Sequence, residues 1–328
     1  MPGSLSTPFR RRIIQLAALC LALPSAFAQT TDYPNRPIKL VVPFAAGQSI
    51  DVVLRAIIEP LSQEAKVPIL IENRPGAAGF IAAQAVATAP ADGYTVLIGS
   101  NTTHAANASM FNKLPYDPIA DFAPVTLINK GGMIFVVSAT SPITSAQDLL
   151  TKAKQSPGKL SYGASSSSSR MSAELMQQMG GAKVQYVPYK GSPQAITDVL
   201  GGTLDFAVVD VPAAQPLIQQ GRLRGLAVST LRRHPTLTQV PSMAETGLPG
   251  FELAAWSAVF VPAATPRPVV ARLNAIFRAA LGSQTARSFY QQAGLTPEPT
   301  SPEEMGAFMR RETEKWGQLV RAAGVQPE

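Results

Sequence analysis

Side chains that do covalent chemistry are scarce in this sequence: 328 residues hold two histidines, His104 and His234, and one cysteine, Cys20. A serine nucleophile needs a base and a sharp turn to present its hydroxyl. The sequence has no G-x-S-x-G elbow, so a hydrolase working through the serine run 165–169 is only a distant alternative. One cysteine and two histidines exclude a Cys/His zinc site and a disulfide scaffold. Carboxylates are not clustered at loop spacing for a hard cation. Gly158-Lys159 lacks the upstream glycine and the following Ser or Thr of a phosphate loop, and Gly76-Ala77-Ala78-Gly79 is not a dinucleotide fingerprint. Neither catalysis nor a cofactor nor a metal is expected.

What the sequence does offer is small polar loops at places where strands feed helices. The first is Phe44-Ala45-Ala46-Gly47-Gln48-Ser49-Ile50-Asp51, and the second is Gly99-Ser100-Asn101-Thr102-Thr103. The third, Gly163-Ala164-Ser165-Ser166-Ser167-Ser168-Ser169, runs into a helical stretch at Arg170. In open α/β sheets ligands sit beyond the carboxyl ends of the strands. Backbone N–H groups and hydroxyls at a helix start form a ready anion site. Each helix end supplies about 0.3–1 kcal/mol, and up to ~2 when partly buried. Two facing ends with about half a dozen hydrogen bonds suffice for micromolar binding of a carboxylate, near −8 kcal/mol. The plain alternative is that Ser49, Asn101 and the serines only cap helices. His104 has two readings, at a pocket edge or in a structural hydrogen bond. His234, in Arg232-Arg233-His234-Pro235, reads as a solvated surface loop.

The elements that position these loops alternate. Strands are expected at 38–44, 69–72, 94–99, 133–138, 160–162, 184–187, 206–210, 226–229 and 257–261. Helices are expected at 51–66, at 80–89, from a Ser145 cap through Leu149 to Lys154, at 170–179, from a Ser192 cap followed by Pro193, and from Ser301 to about Ala323. Such alternation indicates an α/β protein with largely parallel sheets. Nothing repeats, and the length suits about two domains. The serine run has the length of a strand-to-helix loop rather than of a linker.

Arg10, Arg11 and Arg12 precede an apolar run at 13–23, and Ala26-Phe27-Ala28 fits a small-x-small cleavage site. Residues 1–28 therefore read as a secretory signal peptide, with Arg10-Arg11 loosely twin-arginine-like. The net charge is +7, and losing the three leader arginines takes it to +4. Cys20 leaves with them. The remaining basic residues are scattered without an aromatic-rich stripe, so nucleic acid is not an expected partner.

Tyr33-Pro34-Asn35-Arg36-Pro37-Ile38 leading to Val42-Pro43-Phe44-Ala45-Ala46-Gly47 resembles the Bug family, the periplasmic receptors of tripartite tricarboxylate transporters. Glu72-Asn73-Arg74-Pro75-Gly76-Ala77-Ala78-Gly79, Pro90-Ala91-Asp92-Gly93-Tyr94-Thr95 and Leu114-Pro115-Tyr116-Asp117-Pro118 continue it. So do Val187-Pro188-Tyr189-Lys190-Gly191, Gly201-Gly202-Thr203-Leu204-Asp205, Pro249-Gly250-Phe251-Glu252, Trp256 and Glu312 with Trp316. The resemblance spans the chain after residue 28.

It implies a two-domain periplasmic binding protein fold of the α/β class, with crossover strands near 126–131 and 251–257 as a hinge. Domain 1 would be 32–129 plus 254–328, and domain 2 would be 130–253. It also implies a periplasmic monomer that binds a small organic carboxylate in the interdomain cleft. That ligand would be a di- or tricarboxylate, an acidic amino acid or an aromatic acid. It would be delivered to membrane permease subunits or, alternatively, presented to a membrane sensor.

By position, the ligand-binding residues implied are Phe44, Ala46, Gly47, Gln48 and Ser49; Asn101, Thr102 and Thr103; Ala164, Ser165, Ser166, Ser167, Ser168, Ser169 and Arg170; and Asp210 at the cleft floor. Two departures stand out. Gln48 replaces a usual glycine, which puts a side chain at the pocket. Arg170 follows a shortened serine loop, either pairing bidentately with a carboxylate or pointing to solvent.

Overall fold

The computed structural model describes residues 33–327, so the signal-peptide reading of residues 1–28 lies outside the described residues. The apolar run of β1 (Ile38–Val42) is buried on both faces, as suits an interior parallel strand. It pairs in parallel with β2 (Ile69–Asn73) on one side and β3 (Thr95–Ser100) on the other. The first sheet continues antiparallel through β9 (Ala254–Pro262) to β4 (Phe122–Ser138), whose far side takes the short β10 (Thr296–Pro297). The second sheet runs β8 (Leu223–Val228), β4, β7 (Phe206–Asp210), β5 (Ser161–Ala164) and β6 (Gln185–Pro188).

The sheets are therefore mixed rather than largely parallel, because one long strand serves both. β4 pairs with β9 up to Gly132 and with β7 from Met133 onward. Sequence periodicity marks only its second half, since Pro124, Lys130 and Gly131-Gly132 interrupt the apolar pattern of the first. Gly132 cannot carry a side chain at the change of partner: a Cβ there would lie 2.8 Å from Thr230 Cγ2. Ser229 ties the crossing together, donating to the Leu253 carbonyl at 2.6 Å and accepting from Met133 N at 2.8 Å.

Helix starts follow capping chemistry at several of the expected points. Ser145 accepts from Asp148 N to open α4 (Ala146–Gln155), and a Ser301/Glu304 capping box opens α10 (Pro302–Ala322). The other helices are α1 (Ser49–Ala65), α2 (Phe80–Ala87), α3 (Asn107–Met110), α5 (Ser167–Gly180), α6 (Ser192–Leu200), α7 (Val211–Gln219), α8 (Arg267–Leu281) and α9 (Gln284–Ala293). Ser192 is not a cap, as its pattern had suggested. Gly191 holds that position, and the Ser192 hydroxyl is drawn to Asp210 instead.

His234 also corrects the sequence reading, being buried rather than solvated, with its Nδ1 3.0 Å from Thr236 Oγ1. The cause is Gly294, against whose Cα the imidazole packs so closely that an added Cβ would lie 2.1 Å from Cε1. Burial lowers the pKa of His234 below the usual imidazole value. The C-terminal helix is fixed by Glu312 Oε2, which accepts from Trp256 Nε1 at 2.8 Å and Trp316 Nε1 at 3.2 Å.

Candidate functional site

Three strand-to-helix junctions converge on one cavity. At the first, β1 ends and the chain turns through Gly47 at φ +82°, a left-handed conformation that glycine adopts without strain. Asp51, one turn into α1, anchors the turn. It accepts from Gly47 N at 2.9 Å, Arg55 Nε at 2.9 Å and Asn73 Nδ2 at 3.0 Å. Asn73 also donates to the Phe44 carbonyl at 3.1 Å. Burial works to raise the Asp51 pKa, but Arg55, the Gly47 N–H and Asn73 together hold it below the usual carboxylate value. Gln48 occupies the N-cap of α1, yet its side chain does not cap the helix. It reaches across instead, donating to the Lys190 carbonyl at 3.2 Å.

At the second junction the expected loop is a helical turn of π type, Thr102–Ala106. Thr103 turns inward and bonds Ser100 N at 3.0 Å, which leaves it fully buried. His104 is not at a pocket edge. Its ring stacks on Phe260 with centroids 3.7 Å apart, and burial pushes its pKa down to about 3. Asn101 spends its amide on structure, donating to Ser168 Oγ at 2.7 Å and accepting from Trp256 N at 3.2 Å. Asn101–Ser168 and Gln48–Lys190 are hydrogen bonds from first-sheet junctions to second-sheet junctions, so the cleft is drawn together from both sides.

At the third junction the serines build a rigid start for α5. Ser166 caps the helix through Ser169 N, and the Ser169 hydroxyl receives the N–H groups of Ser165 and Ser166 at 3.1 and 2.9 Å. Three of the run's serines are thus the first turn of a helix that begins earlier than periodicity indicates. A relay continues to the floor: Ser165 Oγ lies 3.3 Å from Ser192 Oγ, which donates to Asp210 Oδ2 at 3.1 Å. Burial pushes the Asp210 carboxyl up from its usual value, and the Ser192 hydroxyl offsets this only in part.

The cavity between these junctions has a volume of about 50 Å3. Of the residues singled out from sequence, Phe44, Gln48, Ser49, Asn101, Thr102, Ser166, Ser168 and Asp210 line it. Ser165, Ser167 and Arg170 open instead onto an adjoining chamber of about 620 Å3, which shares Phe44, Thr102 and Ser166 as walls. Arg170 lies there with its guanidinium 4.8 Å from the Tyr186 ring centre. Ala46, Gly47, Thr103, Ala164 and Ser169 line neither chamber; Gly47, Thr103 and Ser169 shape the residues that do.

Sequence reasoning missed the floor: Asn129, Gly131 and Gly132 from β4, and Ala255, Trp256 and Ser257 from β9. The signal was present in the placement of the crossover strands near 126–131 and 251–257, since segments that join two halves also wall the space between them.

Among the described residues no Lys, Arg or His lines the smaller cavity, whereas the starts of α1, α5 and α7 do. Two of these, α1 and α7, have no side-chain cap. Such a site binds a small anion through backbone N–H groups and hydroxyls. It lacks a Ser–His pair, since both histidines are buried elsewhere. Among the described residues no group of three or more His, Cys, Asp and Glu is placed to hold a metal, and no helix is long and apolar enough to cross a membrane.

Fold and cleft define a solute-binding protein of the periplasmic type. The family model described as "Tripartite tricarboxylate transporter family receptor" matches residues 53–325. BugT of Bordetella pertussis is 33% identical over 297 residues, 90% of this chain and 91% of that protein. Rpa4515 of R. palustris, solved with adipate, is 38% identical with a TM-score of 0.87, over 90% of this chain and 100% of that one. MatC of Rhodopseudomonas palustris, solved with bound malate, is 30% identical with a TM-score of 0.83, over 88% and 100%. The chain belongs to the tripartite tricarboxylate transporter receptor family. Its members are solute-binding receptors, not enzymes.

Proposed function

We propose that this receptor binds a small organic carboxylate in the cleft and delivers it to the membrane subunits of a tripartite transporter. The observation that carries the reading is the convergence of α1, α5 and α7 on a cavity lined without a basic side chain. Three helix starts supply partial positive charge and N–H donors where a carboxylate fits. The adipate and malate in Rpa4515 and MatC support the same ligand chemistry here.

The reading goes with export through the cleavable leader 1–28, a monomer in the periplasm, and lobes at 32–129 plus 254–328 and at 130–253. The change of partner along β4 at Gly132 supports the first boundary. The adjoining chamber, with Arg170 on its wall, gives room for the far end of a longer acid.

Thermal unfolding against aliphatic and aromatic acids tests the proposal. A midpoint that rises with concentration of at least one acid, as mass action requires, is the expected result. A flat response to every acid contradicts it. Uptake of the responding acid by cells with and without the gene then tests delivery, and equal uptake argues against the transporter.

A further inference from the structure

The cleft proposed to hold a carboxylate already contains one. Asp210 ends β7, stands at the start of α7 and lines the smaller cavity. Its carboxyl is not spent on capping that helix, and the side-chain donor it receives is Ser192 Oγ at 3.1 Å. Among the described residues no basic side chain lines the cavity to offset it. Asp51 differs, with Arg55 Nε 2.9 Å away.

A simple anion entering this space would face the like charge of the half-buried Asp210, and two like charges sharing a site repel. Either Asp210 takes up a proton or the ligand brings a donor. The helix start behind Asp210 and the hydroxyl of Ser192 favour the ionised carboxylate, against the burial that raises its pKa. We propose that Asp210 is the specificity-determining acceptor of the receptor, selecting carboxylates that carry an ammonium or hydroxyl group on their skeleton. That group donates to Asp210 while the carboxylate rests on the helix starts of α1 and α5. The inference rests on the carboxylate-receptor reading and adds the substituent that the ligand must bear. A site built to accept from a ligand's O–H or N–H rejects the analogue that lacks it, because its acceptor is left with fewer donors than it can take.

Calorimetric titration of the purified protein tests this with matched acids: succinate, malate and aspartate, their five- and six-carbon counterparts, and benzoate with its hydroxy and amino forms. On the skeleton that binds, the hydroxy or amino acid is expected to bind about 10- to 100-fold more tightly than the unsubstituted acid. In Asp210→Asn the amino acid weakens by about tenfold while the unsubstituted acid tightens, so the preference collapses. A thermal midpoint no lower than that of the wild type verifies folding of this variant. Ser192→Ala, which leaves the charge but removes its donor, widens the preference.

An unsubstituted acid that binds the wild type as tightly as its substituted partners, with proton uptake, overturns the inference. So does an Asp210→Asn variant with an unchanged preference. Absence of binding by every acid overturns the carboxylate-receptor reading itself, which is a different result from binding without discrimination.

Discussion

Two buried or half-buried acids stand near helix starts on opposite sides of the cleft, and they are treated in opposite ways. Asp51 is surrounded by donors, and Arg55, Asn73 and the Gly47 N–H keep its pKa low. Asp210 has the Ser192 hydroxyl, and its pKa is raised by burial. A fully satisfied carboxylate holds a loop in one shape, whereas an under-satisfied one is held ready for something else. The first belongs to the scaffold of the site. The second, on the proposal made above, belongs to its function, with folding stability given up to keep it there.

The largest expected effect breaks the satisfied side. Asp51→Ala removes the acceptor of three hydrogen bonds, two of them neutral and one charged, and is expected to cost about 2–4 kcal/mol in urea unfolding. A loss below about 0.5 kcal/mol would mean that the clamp holds nothing.

Asp210→Asn should move the other way, adding about 0.5–2 kcal/mol to the unliganded protein at neutral pH. A destabilised variant would remove the contrast. The pH dependence sharpens it. Asp51, with its pKa lowered by folding, contributes stability that is present above the ordinary carboxylate range and lost as pH falls through its depressed value. Asp210, with its pKa raised, takes stability away as pH climbs from that ordinary range through the elevated value. Urea midpoints across the acidic range should therefore show a flatter acid limb for Asp51→Asn and a higher plateau for Asp210→Asn. Identical profiles would contradict both assignments.

Ser166→Ala removes the cap of α5 and is expected to cost about 1 kcal/mol, read in the same unfolding assay. Gln48→Ala, the smallest, removes one neutral bond across the cleft, worth about 0.5–1 kcal/mol. It should appear as a larger radius of gyration without ligand rather than as a lower melting point; an unchanged radius would show that Gln48 does not hold the lobes together.

Much of the fold was legible because its signals are local. The apolar runs of β1 and β7 and the serine caps of α4 and α10 are written in neighbouring residues. The three loops of the site were legible for the same reason, since they follow strands directly. What escaped depends on contacts distant in sequence. Asn129 and Trp256 reach the cleft because β4 and β9 pair across it, and nothing near either residue announces that. His234 is buried by Gly294, sixty residues away in sequence. Asn101 has the chemistry of a ligand contact, but its amide is engaged by Ser168 and Trp256, a fact only the folded chain contains.

The central claim is that a carboxylate is held on helix starts in a cleft without a basic side chain. The most direct test is a crystal structure of the protein purified from its native source with its ligand retained. The account predicts a carboxylate in the smaller cavity, within hydrogen-bonding distance of the backbone at Ser49 and of Ser166 or Ser168. A ligand seated elsewhere, or one without a carboxylate, would contradict it.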